Sequence, residues 1–164
     1  MSAAPQFRIG TGFDIHRLVG GRRLILGGVE FLHENGLEGH SDADVLLHAI
    51  SDALLGAVAS GDIGNHFPNT DPRWKDCASE VFVRESVRIV NEAGYAVGNV
   101  DATLLAERPK IAPRIPEMRK RIAEMLGVTE DRVGIKATTM ETLGAIGRRE
   151  GIAAMATALV ILRG

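Results

Sequence analysis

The stretch Ile152–Leu162 reads IAAMATALVIL, and Thr157 is its sole polar side chain. A strand this apolar is buried on both faces. One layer of helices covers only one face of a sheet. The other face needs a partner chain, or the strand is central and sandwiched within one subunit; periodicity fits both. Val133–Thr139, Tyr95–Ala106, Phe7–Arg17 and Arg23–Phe31 also read as strands, the last two joined by a turn at Gly20 and Gly21. Ser41–Ala59 reads as the clearest helix. Ser41 serves as its N-cap, Asp44 completes a capping-box pattern, and Val45, Leu46, Ala49, Ile50, Ala53, Leu54 and Ala57 form one broad apolar face. Ser79–Glu92 and Pro116–Leu126 predict two more helices, stopped near Gly94 and Gly127. Gly61–Asp76 has the composition of a loop, long for an inert connection, and Gly144–Gly151 reads as a flexible charged loop. Strands and helices are interspersed without regular alternation. The expected fold class is α+β, a mixed β-sheet with helices on one face.

The 164 residues suit one domain over residues 1–164, and 45% hydrophobic with 24% charged residues is an ordinary globular mixture. A net charge of −2 gives no pull toward nucleic acid or an anionic membrane surface. Cys77 stands alone, so it supports neither an intrachain disulfide nor a cysteine-based zinc site, and it reads as a small surface or core residue. Met1–Gln6 carry no basic or apolar segment of a signal peptide, and no apolar run is long enough to span a membrane. The expected location is cytoplasmic.

Asp14 and His16 are two apart on a strand and so share a face. His48, on the helix that follows the Gly39-His40-Ser41-Asp42 turn, is the best candidate third ligand. Two imidazoles and a carboxylate suit zinc and leave a fourth position open, as a catalytic site requires. Asp52, four residues beyond His48, is a candidate to orient its ring. Taken alone, D-x-H is a common pair and His48 an ordinary core histidine. Arg108-Pro109-Lys110, between a strand and a helix, could meet a phosphate or be solvated charge. Lys136-Ala137-Thr138-Thr139-Met140-Glu141 ends another strand; its N–H groups and hydroxyls suit phosphate oxygens, and Glu141 suits a hard cation. It could equally be a β-rich run with an exposed glutamate. Neither a P-loop nor a Rossmann glycine motif is present.

These pieces occur in one order: Gly12-Phe13-Asp14-Ile15-His16; Gly39-His40-Ser41-Asp42-Ala43-Asp44-Val45-Leu46-Leu47-His48-Ala49; Gly61-Asp62-Ile63-Gly64 with Phe67-Pro68-Asn69-Thr70-Asp71; Arg108-Pro109-Lys110; Lys136-Ala137-Thr138-Thr139 with Glu141 and Gly147-Arg148; and Glu150-Gly151-Ile152-Ala153. The series resembles the 2-C-methyl-D-erythritol 2,4-cyclodiphosphate synthases from about Arg8 to Leu162. The resemblance implies a homotrimer with its sheets packed inward and active sites between adjacent subunits. It implies zinc on Asp14, His16 and His48, and magnesium or manganese on Glu141 at the diphosphate. It assigns transition-state stabilisation to His40 and Thr139, and substrate contacts to Ser41, Thr138 and Met140. Ala106, Pro109, Lys110, Ile111 and Ala112 would line a cytosine and phosphate pocket. Asp62, Ile63 and Gly64 would meet the ribose, and Phe67, Pro68, Asn69, Thr70 and Asp71 the methylerythritol phosphate.

Two positions depart from the family pattern. Asn69 stands where Asp is frequent, and an amide still bonds sugar hydroxyls. Ala145 stands where many members carry Phe, near Arg148, on the axial cavity that in some members holds an isoprenoid diphosphate; Ile146 is its neighbour. The implied substrate is 4-diphosphocytidyl-2-C-methyl-D-erythritol 2-phosphate, with CMP as leaving group. A zinc phosphohydrolase and a non-catalytic trimeric diphosphate-binding module are the competing readings. The first would release phosphate, and the second would need loss of residues that this sequence retains.

Overall fold

The computed structural model describes residues 5–164. Residues 1–4, part of the stretch expected to carry no signal peptide, lie outside them. Strands β1 (Phe7–Gly20), β2 (Leu24–Leu26), β3 (Val29–Phe31) and β4 (Asn35–Leu37) come first. Helix α1 (Val45–Ala57), the turn α2 (Ile63–His66) and helix α3 (Glu80–Glu92) follow. Then come β5 (Tyr95–Leu105), α4 (Ile115–Leu126), β6 (Val133–Thr138), the turn α5 (Gly144–Gly147) and β7 (Gly151–Leu162). One sheet has the order β4-β1-β7-β5-β6. It is mixed: β5 and β6 run parallel, and the other neighbours antiparallel. The α+β expectation holds.

The helices lie on one face, and β7 shows why. Ile152, Ala154, Ala156, Ala158 and Val160 alternate toward the helices and are buried, whereas Met155, Thr157 and Ile161 are exposed. The strand is central but not sandwiched among the described residues. On the same bare face, Phe7, Ile9, Phe13 and Ile15 of β1 stand exposed. On the covered face, β1 approaches α1 backbone to backbone. A Cβ at Gly10 would collide with the carbonyl of Ala53, and one at Gly12 with that of Ala49. That pair of glycines lets the helix settle directly on the strand and sets the height of His48 above Asp14.

Four local readings need correction. Arg23–Phe31 is a hairpin of two short strands, β2 and β3, turned through Gly27 (φ 61) and Gly28 (φ 73), conformations that glycine adopts without strain. The N-cap of α1 is Asp44, which accepts from Leu47 N at 3.1 Å. Ser41 is not the cap, because Ala43 at φ 56 leaves the helical region and delays the helix. Gly61–Asp76 contains α2 and a 3-10 turn at Pro72–Trp74, and Gly144–Gly151 contains α5. Among the described residues no helix is long and apolar enough to cross a membrane.

Candidate active site

β1 presents Asp14 and His16 on its helix-facing side, two positions beyond Gly12, and α1 lowers His48 onto them. His16 Nε2 lies 2.9 Å and His48 Nδ1 3.1 Å from Asp14 Oδ2, and the two ring nitrogens are 3.3 Å apart. A tetrahedral ion with bonds near 2.0–2.1 Å separates its donors by about 3.3 Å, so the donor set fits zinc in number, chemistry and spacing. Burial opposes charge on Asp14, yet hydrogen bonds with His16 and His48 hold its carboxyl well below the usual carboxylate range. Burial also opposes the imidazolium of His16, but its bond to Asp14 raises it overall. His16 Nδ1 lies 2.6 Å from Glu38 O, which leaves Nε2 for the cluster.

The cluster opens onto a cavity of about 530 Å³. His40, Ser41, Ile63, Gly64 and Phe67–Thr70 line it, and Gly39 and Phe82 join them. Asp62 and Asp71 do not line it. They cap short turns instead, Asp62 accepting from Asn65 N and Asp71 from Arg73 N. His40 Nε2 sits 3.3 Å from Asp71 O. Asp52 does not touch His48; it accepts from Ile63 N at 2.8 Å, holding α2 against α1, and burial raises its pKa. The His48 ring instead meets Ser79 Oγ at 2.8 Å and Ser41 Oγ at 3.2 Å.

Sequence reasoning missed Ser79 and Arg22. Arg22 donates to Gly39 O at 3.1 Å and to Ser41 O at 2.5 Å, fixing the turn that presents His40. No motif spacing marks either residue, since each acts on a segment distant in sequence.

The remaining predicted residues form a second group. Ala106 N donates to Thr138 O at 3.0 Å, joining the segment after β5 to the end of β6. Glu107 Oε1 accepts from Met140 N at 2.8 Å and Thr142 N at 3.3 Å. It thereby holds a turn in which Glu141 (φ 51) and Thr142 (φ 64) are both left-handed. Thr139 Oγ1 lies 3.2 Å from Glu141 Oε1 and accepts from Glu141 N. Pro109, Lys110, Ile111, Ala112, Met140, Ala145 and Arg148 stay on this side, and none of them lines the cavity at His48. Ile146 is buried, so it turns away from the surface where Ala145 is exposed. Arg148 pairs with Glu150 at 2.7 Å.

The two groups share one end of the sheet. Register sets Asp14 opposite Ala154, Ala154 opposite Leu104, and Leu104 opposite Ala137. Three strand spacings separate β1 from β6, about 14 Å.

A mixed sheet with one helical layer and a three-donor cluster at the mouth of a cavity defines a metal-competent α+β protein. The chain belongs to the YgbB family, which it matches over residues 7–161. The 2-C-methyl-D-erythritol 2,4-cyclodiphosphate synthase of Geobacter sulfurreducens is 60% identical over 153 residues, 93% of this chain and 98% of that protein. The enzyme of that name from Salinibacter ruber is 58% identical with the same coverage. A solved structure, IspF of Plasmodium falciparum in complex with CDP, superposes with a TM-score of 0.87 at 33% identity, covering 99% of this chain and 100% of that one.

Proposed function

We propose that this chain is a cyclodiphosphate synthase, a phosphorus-oxygen lyase of the non-mevalonate (MEP) route to isoprenoids and terpenoids. It converts 4-diphosphocytidyl-2-C-methyl-D-erythritol 2-phosphate to 2-C-methyl-D-erythritol 2,4-cyclodiphosphate and CMP. The observation that carries the reading is the Asp14, His16 and His48 cluster on its 530 Å³ cavity, in a chain 60% identical to a synthase of that name. We take residues 1–164 as one cytoplasmic domain.

An oxygen of the 2-phosphate attacks the β-phosphorus, the bond from that phosphorus to the bridging oxygen breaks, and CMP leaves with the electron pair. Two unit charges at 4 Å repel by ~4 kcal/mol at an effective dielectric near 20, so anion meeting anion is the obstacle. Asp14, His16 and His48 would hold zinc, and Glu141 magnesium or manganese. Bound there, the cations would neutralise phosphate charge and polarise the β-phosphorus. His40 and Thr139 donate to oxygens as charge moves to the leaving group. Ser41, Ile63, Gly64 and Phe67–Thr70 hold the ribose and the methylerythritol phosphate, and Asp62 and Asp71 cap the turns that carry them. Ala106 and Pro109–Ala112 hold cytosine and phosphate, with Thr138 and Met140 beside them. Holding both reacting ends in line supplies up to roughly 7–11 kcal/mol.

The active form is a homotrimer with sheets inward. Phe7, Ile9 and Phe13, 57–63% exposed on the bare sheet face, support it. So does the separation of about 14 Å between the two groups of site residues, which a neighbouring subunit would close. Ala145, exposed beside Arg148, would give an axial isoprenoid diphosphate less apolar lining than Phe does.

Incubation of the pure protein with the cytidylyl substrate and both metals should yield CMP and the cyclic product in equal amounts. Release of inorganic phosphate instead would identify a phosphohydrolase and overturn the reading.

A further inference from the structure

His48 carries two ring nitrogens with different surroundings. Nδ1 faces Asp14 Oδ2 at 3.1 Å and His16 Nε2 at 3.3 Å. Nε2 points the other way, 2.8 Å from the hydroxyl of Ser79. Ser79 is fully buried, just ahead of α3, and its side chain makes no helix-capping bond. Its hydroxyl donates to Asp42 Oδ1, and its backbone N–H donates to Asp42 Oδ2 at 3.1 Å. Asp42 N in turn donates to Cys77 O at 3.0 Å, which fixes the carboxylate beside Ser79.

The direction of these bonds follows from donor arithmetic. A carboxylate only accepts, and a hydroxyl has one proton. With that proton committed to Asp42, Ser79 Oγ offers only lone pairs to His48. Ser41 Oγ also stands 3.2 Å from Nε2 and 3.3 Å from Ser79 Oγ. The shorter contact of 2.8 Å between Ser79 Oγ and Nε2 would set two lone pairs against each other unless Nε2 carries the proton, so Nε2 is the protonated nitrogen of a neutral His48 ring. Nδ1 is left with a free lone pair aimed between Asp14 and His16, the form in which an imidazole binds a metal. Without Ser79 and Asp42 the opposite tautomer becomes competitive. Nδ1–H would donate to Asp14 and offer no lone pair.

We propose that Asp42 and Ser79 are positioning residues that lock His48 as the Nε2–H tautomer and thereby set the metal affinity of the Asp14, His16 and His48 cluster. The proposal rests on the zinc reading of that cluster. It reassigns the orienting carboxylate: Asp52, on the same helical face as His48, is engaged with Ile63 N, whereas Asp42 reaches the ring through a hydroxyl from another element. Second-layer partners of this kind change metal affinity about 10–100-fold when removed.

Zinc competition against a chromophoric chelator tests this on the full-length chain, with Ser79→Ala, Asp42→Asn and Asp52→Asn beside the wild type. Thermal melts of the metal-free proteins identify any variant that fails to fold. Asp42→Asn keeps the buried hydroxyl in place, so the test stands if Ser79→Ala is lost. The expected result is a 10–100-fold weaker zinc affinity for both relay variants, with Asp52→Asn binding as the wild type does. The visible spectrum of the cobalt-loaded protein should change in Ser79→Ala and Asp42→Asn alone. A tight wild type with equally tight relay variants overturns the proposal and leaves the zinc reading intact. A wild type that binds no zinc overturns both.

Discussion

Glu107 exerts more leverage than its place in the chain suggests. One carboxylate oxygen accepts two N–H groups of a turn whose Glu141 and Thr142 occupy left-handed backbone. Such positions cost of order 1–3 kcal/mol each and persist only when neighbours hold them. Glu107→Ala should free the turn and weaken the dependence of turnover on magnesium or manganese. Glu107→Gln, whose carbonyl oxygen can accept both bonds, should restore it; metal titrations of the rate check this. Asp44 offers a pH test. Burial, together with the Asp42 charge, pushes its carboxyl up to about 6 from the ordinary 3.8, against N–H bonds from Gly28, Gly27 and Leu47. The folded state thus favours the protonated acid. The resulting stability is complete below the unfolded pKa and is lost as pH rises through about 6. Asp44→Asn does not titrate. Its urea stability relative to the wild type should therefore improve across that window and level off above it. Of the candidate ligands, Asp14 and His16 were legible from the strand period, whereas His48 stood out only through the ordered series of motifs around it. Ser79 was not legible, because it reaches the ring from outside the helix that carries His48.

The contact between β1 and α1 is the element on which the site depends. Gly12→Ala sets a methyl group against the carbonyl of Ala49, backbone against backbone. Overpacking usually costs ~1–3 kcal/mol, and a clash that no side chain can relieve belongs at the upper end. Since α1 carries His48, the variant should lose zinc affinity along with stability, read by chelator competition and urea unfolding. At this scale the long strands and the helices were readable from periodicity. The β2–β3 hairpin was not, although adjacent glycines are its usual signal, because the apolar run continues on both sides of Gly27 and Gly28. β4, three residues long, carries too little pattern to register.

For the whole molecule the decisive feature is the bare sheet face. An even apolar strand is compatible with burial on both sides, and sequence alone could not say whether the second cover comes from the same chain. The structure leaves Phe13, Met155 and Ile161 uncovered within one chain. Phe13→Glu would carry charge into that face and should convert the proposed trimer, followed by light scattering, into smaller species that still bind zinc, since the candidate ligands lie on the opposite side of β1. The three-strand gap between His48 and the Thr139–Thr142 turn also has a genetic consequence. In the proposed trimer, His48→Ala and Glu141→Gln would each disable a different half of a shared site. In a ring of three, every mixed assembly keeps one interface with both halves intact. Two individually dead proteins, unfolded and reassembled together in equal amounts, should recover about a quarter of wild-type activity by random mixing. In a cell, two such alleles should complement each other. If both halves of the site came from one chain, mixing would recover nothing.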